Sequence, residues 1–321
     1  MSTRWPRPLI EAGVAIVRDR AGRVLLAERQ AFQLSPGFWE LPGGKIEDGE
    51  TPAQAAVREL REEVGLEALA VVPFAVHEHL FATRRIRLHL FLVTAWRGTA
   101  QGREGQRVAW VDPRAPEVGP ILPSNLRVMA VLGLPRVVLS TRVGPRAMEA
   151  AIAIASHVAA TGQAAVLVDE PELAPAPRRM LTRRLVGQVR GMGGVVLVRG
   201  DLQAAIQAGA AGAADPPDRL PGPTVRAPFL RFAICASSAD VAAASAAGAD
   251  ALLIDASPEQ APGLLASAPP CPAFLRDPGG SAMATVTGRP IGIWAAFADL
   301  APRGRSIPGG LRNGDSQHAT A

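Results

Sequence analysis

Three glutamates, Glu59, Glu62 and Glu63, stand at i, i+3 and i+4 within the stretch GKIEDGETPAQAAVRELREEVGL at 44–66. On a helix that spacing gathers the carboxylates on one face, where like charges repel by roughly 0.2–0.5 kcal/mol per pair. A hard divalent cation reverses the sign, because Mg2+ accepts carboxylate oxygens, a backbone carbonyl and waters, and commonly joins them to substrate phosphates. Gly43 and Gly44 precede the glutamates and allow tight backbone approach, and Lys45 can set a point charge on phosphate. Taken alone, the glutamates could equally be the wet face of a helix.

The elements that must position these groups are legible nearby. Thr51 suits an N-cap, Pro52 the first helical position and Gln54 the third, so Thr-Pro-Ala-Gln predicts a capping box and a helix that starts there. Ala53, Ala56, Val57, Leu60 and Val64 form its apolar face, and Gly65 fits the left-handed residue that ends it. GVAIVRD, AGR and VLLAERQ, over 13–30, predict a hairpin, and IRLHLFLVTAW, over 86–96, a long strand. After Pro135 alanine, glycine and proline dominate, and eight short apolar runs recur between helix-forming stretches: RVVLS, AAVLVDE, GGVVLVRG, AGAAGAA, RFAICAS, ADALLIDA, CPAFLRD and IGIWAAF. Strands alternating with helices imply parallel βαβ units, and eight of them a closed (β/α)8 barrel. A domain boundary is expected at 133–136 and a disordered tail over 301–321.

Composition narrows the class. A chain of 321 residues, 48% hydrophobic and 20% charged, favours two domains. No apolar run is long enough for a membrane span, and the start MSTRWPRPLIEAG lacks a signal-peptide core, so the expected location is the cytoplasm, away from membranes. The two cysteines, Cys235 and Cys271, have no metal-site or disulfide spacing and read as buried thiols. The net charge of +5 rests almost wholly on arginine, with Lys45 the one lysine. These arginines are scattered without interleaved aromatics, which argues for a small polyanion and against a nucleic-acid polymer.

The whole stretch resembles the Nudix box: Gly44, five residues, Glu50, seven residues, then Arg58-Glu59-Leu60-Arg61-Glu62-Glu63-Val64-Gly65-Leu66. Membership implies an α/β/α sandwich with a mixed sheet over 1–132. It implies that Glu59, Glu62 and Glu63 hold Mg2+ (or Mn2+) together with Gly44, that Arg58 orients the glutamates and that Glu50 supports the loop. The chemistry implied is hydrolysis of a phosphoanhydride, in which charge neutralisation and positioning do most of the work.

Beyond the box, LLAERQ, FWELPGGKIEDGETP, HLFATRRIRLHLFLV, GREGQ and LPSN resemble the MutT branch. That likeness implies that Arg29 and Arg84 contact the nucleotide, that Glu104 joins the metal site and that Asn125 reads the purine edge. Leu41 stands on the base-contacting position where the branch has an aromatic residue, and Thr83 replaces an acidic one. The activity implied is conversion of 8-oxo-dGTP to 8-oxo-dGMP and pyrophosphate, a nucleotide-pool sanitation that prevents mutation. Other nucleoside triphosphates, ADP-ribose and dinucleoside polyphosphates are the rivals within the family, and a nucleotide sensor without turnover is a third reading.

Residues 135–300 resemble thiamine phosphate synthase and its TenI relatives in layout, most clearly over RFAICASSADVAAASAAGADALLIDASP. The catalytic signatures are missing: VLVDEPEL stands in place of an Arg-x-Lys, VRGDL in place of Asn-Asp, and Lys45 leaves no lysine for this segment. A degenerate barrel is expected, with Asp169, Arg199, Asp255 and Arg276 at the C-terminal ends of its strands and Gly279-Gly280 as a weak phosphate-loop candidate. Such a barrel could serve as a regulatory ligand-binding or scaffolding module.

Overall fold

Strand β1 (Leu9–Val17) is buried along its last six residues on both faces, and β2 (Val24–Glu28) along its first four, so each needs cover on two sides. The computed structural model that shows how describes residues 7–142, 144–161, 164–222, 225, 227–257, 259–266, 270–276 and 291–296. After β2 come β3 (Trp39–Glu40), β4 (Gly43–Lys45), α1 (Pro52–Val64), β5 (Glu67–Leu80), β6 (Arg85–Arg97), β7 (Val108–Val111) and α2 (Pro123–Leu132). One sheet runs β4-β1-β6-β5, mixed because β1 and β6 are parallel; the other runs β3-β2-β7 and is antiparallel.

Alternation along the strands builds two cores. Val14, Ile16, Val24 and Leu26 meet Val128, Met129 and Leu132 of α2, whereas Ala15, Val17, Leu25 and Ala27 meet Ala56, Leu60 and Val64 of α1. The result is the expected α/β/α sandwich. The hairpin expected over 13–30 does not form: a single Arg18–Val24 bridge links β1 to β2. Both edges of β1 are taken by β4 and β6, and both edges of β2 by β3 and β7.

Helix α1 follows its local signals closely. Thr51 and Gln54 make a reciprocal capping box, Pro52 opens the helix and Gly65 closes it at φ 70°. Its apolar face is rotated from the expected one: Ala55, Ala56, Leu60 and Val64 are buried while Ala53 and Val57 stay half-exposed, because Ala55 turns onto Gly13 of β1. Thr51→Ala is expected to cost about 1 kcal/mol, read as a lower denaturation midpoint at unchanged m-value.

The rest of the chain is a βα series: β8 (Val137–Ser140), α3 (Ala147–Thr161), β9 (Ala164–Val168), α4 (Pro175–Arg190), β10 (Val195–Val198), α5 (Leu202–Ala208), β11 (Gly212–Asp215), β12 (Leu230–Cys235), α6 (Ser238–Ala246), β13 (Ala251–Ile254), α7 (Ala261–Ala266), β14 (Ala273–Arg276) and β15 (Ile291–Ala296). All eight apolar runs become parallel strands, and they close into a barrel. A 3-10 turn, Pro217–Arg219, stands between β11 and β12 where a helix would complete the pattern. Phe232 and Phe274 fill the interior, ring centroids 5.9 Å apart, and Ala130, Val131 and Leu134 pack against the same core. Among the described residues no helix is long and apolar enough to cross a membrane. Cys235 is buried in β12, and burial pushes its thiol up to about 12; Cys271 is partly covered. The tail over 301–321 and Gly279-Gly280 lie outside the described residues.

Candidate active site

Helix α1 lies across β1 and β4, and this packing lays its glutamates against the glycine loop. Gly44 is open only because it lacks a side chain: a Cβ there would overlap the Glu59 carboxylate. One turn on, Glu63 accepts a hydrogen bond from the Gly43 backbone N–H at 3.1 Å. Burial, with Glu40 and Glu59 close by, pushes the Glu63 carboxyl up to about 8. Burial also raises Glu59 and Glu40, although Arg58 and Arg29 oppose the shift.

Arg58 collects the remaining charge. Its guanidinium donates to Glu50 at 2.9 and 3.0 Å, to Glu59 at 2.9 Å, to Glu62 at 3.3 Å and to the Lys45 carbonyl at 3.1 Å. Those pairs hold its pKa above the usual arginine range, Glu50 first among the causes. With its side chain 48% exposed, Glu62 leans to solvent, and Glu104 is exposed beyond it. The Glu104 backbone is fixed, its N–H donating to Gln106 and its carbonyl accepting from Gln30. Among the described residues no three carboxylate, imidazole or thiol groups already stand as a metal-ligating cluster, since Arg58 holds two of the glutamates.

The donor set nevertheless fits a divalent cation. Beside a backbone that only glycine allows, Glu40 and Glu59 raise the proton affinity of Glu63, Glu59 raises that of Glu40, Glu62 raises that of Glu59, and Glu104 adds to the field at Glu59 and Glu63. A dication bound among them would replace the missing countercharge.

From Glu59 and Glu63 a cavity of about 370 Å3 opens past Arg29, Leu41, Gly44 and Lys45 to Phe81, Arg84 and Asn125. That is within the size range of small-molecule sites. Asn125 lies in the first turn of α2 and is 3% exposed. Its Oδ1 accepts the Leu41 backbone N–H at 3.0 Å, which fixes the amide orientation because that partner can only donate. Its Nδ2 donates to Ser124 at 3.3 Å, so one hydrogen and one lone pair remain for a ligand. The Leu41 side chain, 2% exposed, belongs mainly to the core between β1 and α2.

Three neighbours were not found from the sequence. Glu40 forms an ion pair with Arg29, whose Nε also donates to the Leu34 carbonyl at 2.6 Å. Phe81 lies under the Arg84 guanidinium, 5.1 Å from ring to Cζ, and beside His79. Ser124 lines the same cavity. For Glu40 and Phe81 the signal was present: Glu40 sits in FWELPGG on a strand entering the loop, and Phe81 stands three residues before Arg84 in HLFATRR, its N–H donating to the Arg84 carbonyl at 2.9 Å.

At the C-terminal ends of the barrel strands the expected polar residues are paired with each other. Asp169, 1% exposed, accepts from Arg142 at 2.7 Å and Arg199 at 3.1 Å, and Asp255 accepts from Arg276 at 2.6 Å. This mutual neutralisation accounts for them without a ligand.

The NUDIX domain family model matches residues 8–131. The CTP pyrophosphohydrolase of Escherichia coli is 39% identical over 121 residues, covering 38% of this chain and 89% of that protein. The 8-oxo-dGTP diphosphatase of Haemophilus influenzae is 35% identical over 123 residues, covering 38% and 90% respectively. That of Escherichia coli is 37% identical over 123 residues, covering 38% and 95%. Similarity at that level, over nearly the full length of the relatives, joins the glutamate-on-glycine geometry of the first 132 residues, and the chain belongs to the Nudix family of hydrolases that act on phosphoanhydride bonds.

Proposed function

We propose that residues 1–132 hydrolyse 8-oxo-dGTP to 8-oxo-dGMP and pyrophosphate with Mg2+ as cofactor, and that the barrel over 135–300 is not a second enzyme. One observation carries the reading: a single cavity is lined by Glu59 and Glu63, carboxylates for a cation-held triphosphate, and also by Arg84 and Asn125, a cation and an amide for the rest of a nucleotide. The similarity to two bacterial 8-oxo-dGTP diphosphatases supports it.

A divalent cation bound here would supply charge neutralisation at phosphate oxygens and a lowered pKa for the attacking water. Everything else falls to the chain. Glu59, Glu63, Glu62, Glu104 and the Gly44 carbonyl would hold the cation; Arg58 keeps Glu59 and Glu62 from folding away, and Glu50 anchors Arg58. Lys45 and Arg29 flank the phosphates. At the other end the Asn125 amide offers a donor and an acceptor, matching O6 and the N7–H that 8-oxoguanine has and guanine lacks. Guanine would present N7 as a second acceptor and leave a buried partner unmatched, which is how a site discriminates strongly. Nucleotide-pool sanitation in the cytoplasm is the role that follows.

CTP is the rival substrate, favoured by the CTP pyrophosphohydrolase relative and by Leu41 where an aromatic residue would grip a purine more firmly. A turnover panel of 8-oxo-dGTP, dGTP, CTP, dCTP and ADP-ribose with Mg2+, on the full chain, decides between them. The expected outcome is that 8-oxo-dGTP leads in kcat/KM; a lead for CTP, dCTP or ADP-ribose overturns the reading. A parent that turns over no member of the panel faster than its Glu62→Gln variant does would instead point to a chain without turnover.

A further inference from the structure

Two residues beyond Asn125, on the far side of α2, Arg127 leaves the hydrolase and enters the barrel. Its side chain is 5% exposed, Nη2 donates to the Val225 carbonyl at 2.6 Å, and Nε stands 3.8 Å from the Asp250 carboxylate. Asp250, also buried, already accepts from the Arg231 backbone N–H at 2.8 Å and its Nε at 3.4 Å, while Arg231 donates onward to the Gly248 carbonyl. Two guanidinium groups thus share one carboxylate. His77 of β5 faces the same knot: among the described residues the Nε of Arg127 and the Nε2 of His77 have no hydrogen-bond partner, and both side chains line one cavity of about 30 Å3.

Such a knot is a poor way to gain stability. Buried ion pairs forfeit hydration, and well-packed apolar residues of the same volume often do as well or better; what a buried charge can supply is a unique orientation. Helix α2 needs one. It has ten residues and no side-chain N-cap bond, so packing must set its place. Val128, Met129 and Leu132 enter the hydrolase core, and Ala130 and Val131 the barrel core, which leaves sliding and rotation between two greasy surfaces to be prevented. On the hydrolase side the Leu41 N–H on Asn125 and Arg18, donating to the Leu132 carbonyl at 2.7 Å, are directional; on the barrel side Arg127 is, and Asn125 lies one half-turn from it on the same helix.

We propose that Arg127 is a positioning residue for nucleotide recognition: held by Asp250 and the Val225 carbonyl, it fixes α2 and thereby the Asn125 amide in the nucleotide cavity. The barrel then takes part in base recognition without touching the base. This deepens the function proposed above and rests on Asn125 reading the base.

The test uses the full chain and whichever nucleotide leads the panel. Arg127→Met keeps the apolar stem and leaves Asp250 paired with Arg231, and it is expected to raise KM about tenfold with kcat within about twofold of the parent. Arg127→Lys, which still reaches the Val225 carbonyl, restores most of the loss. Asn125→Ala raises KM as well, and adding Arg127→Met to it changes nothing further, because both act through one amide. Asp250→Asn supplies a second route to the same KM change should Arg127→Met fold poorly. Effects that multiply in the double variant, or a parental KM in Arg127→Met with only its melting temperature lowered, overturn the proposal and leave the substrate assignment standing. An unchanged KM in Asn125→Ala removes the base-reading role of Asn125 and the proposal with it.

Discussion

Exchanging Glu63 for glutamine is expected to lower kcat by about a thousandfold, with KM changed far less, because the carboxylate acts on charge that develops in the transition state. Glu63 is the innermost glutamate of the box, held against the Gly43 N–H and next to both Glu40 and Glu59. Glutamine keeps the shape and the bond to Gly43 but gives a cation one anionic oxygen pair fewer. Stability moves the other way. An acid whose folded pKa rises from 4.5 to about 8 binds its proton more tightly when folded, so its ionisation weakens the fold as pH climbs through that window. At pH 8 in chelator the variant is therefore expected to melt no lower than the parent. Saturating Mg2+ is expected to stabilise the parent more than the variant, since it binds the folded parent more tightly. Steady-state rates and melting curves with and without metal check both halves; a kcat within tenfold of the parent would remove Glu63 from the catalytic set.

Opposed effects on activity and stability are the signature of a site built at the fold's expense, and they explain what could be seen in advance. Helix α1 was legible because its start, face and end are written in neighbouring residues: the Thr51–Gln54 box, Pro52 and Gly65 act within one turn. The barrel was legible for a similar reason, since β9, β12 and β13 are short apolar runs buried along their whole length, and β10 and β13 are bounded by glycine or charge. Helix α2 was not. PSNLRVMAVL has no capping side chain, and its apolar residues face two cores at once, which erases the one-sided periodicity that marks a surface helix. The β1–β2 pairing failed on the same ground: a turn signal at AGR is real, but the edges of both strands are claimed by distant partners. Of the site, the carboxylates on α1 could be read from spacing. The Arg29–Glu40 pair and the Asn125–Leu41 bond join residues that only the fold brings together, whereas Phe81 reaches Arg84 within one local turn.

The second large effect is expected at a residue that has no side chain, Gly13. Here α1 crosses β1 so closely that a Cβ would meet the Pro52 carbonyl, lie 2.7 Å from the Ala56 nitrogen and 2.8 Å from the Ala55 methyl. Two of these are backbone atoms in the first turns of the helix, which cannot swing aside as a side-chain tip would. Gly13→Ala must therefore lift α1 from the sheet, loosening Ala56, Leu60 and Val64 in their core and costing about 3 kcal/mol. The same displacement carries Glu59 and Glu63 away from Gly44 and Gly43, whose strand β4 is paired to β1 at this point, Gly13 opposite Gly44. Misplacement by about an ångström can cost a hundredfold in rate, so activity is expected to fall even in the fraction that remains folded. Urea unfolding with m-value, followed by kcat on folded protein at low temperature, separates the two effects. A variant that unfolds at the parent's midpoint would mean that helix and strand are farther apart than the glycine contact requires, and the carboxylates would then owe their place to the loop alone.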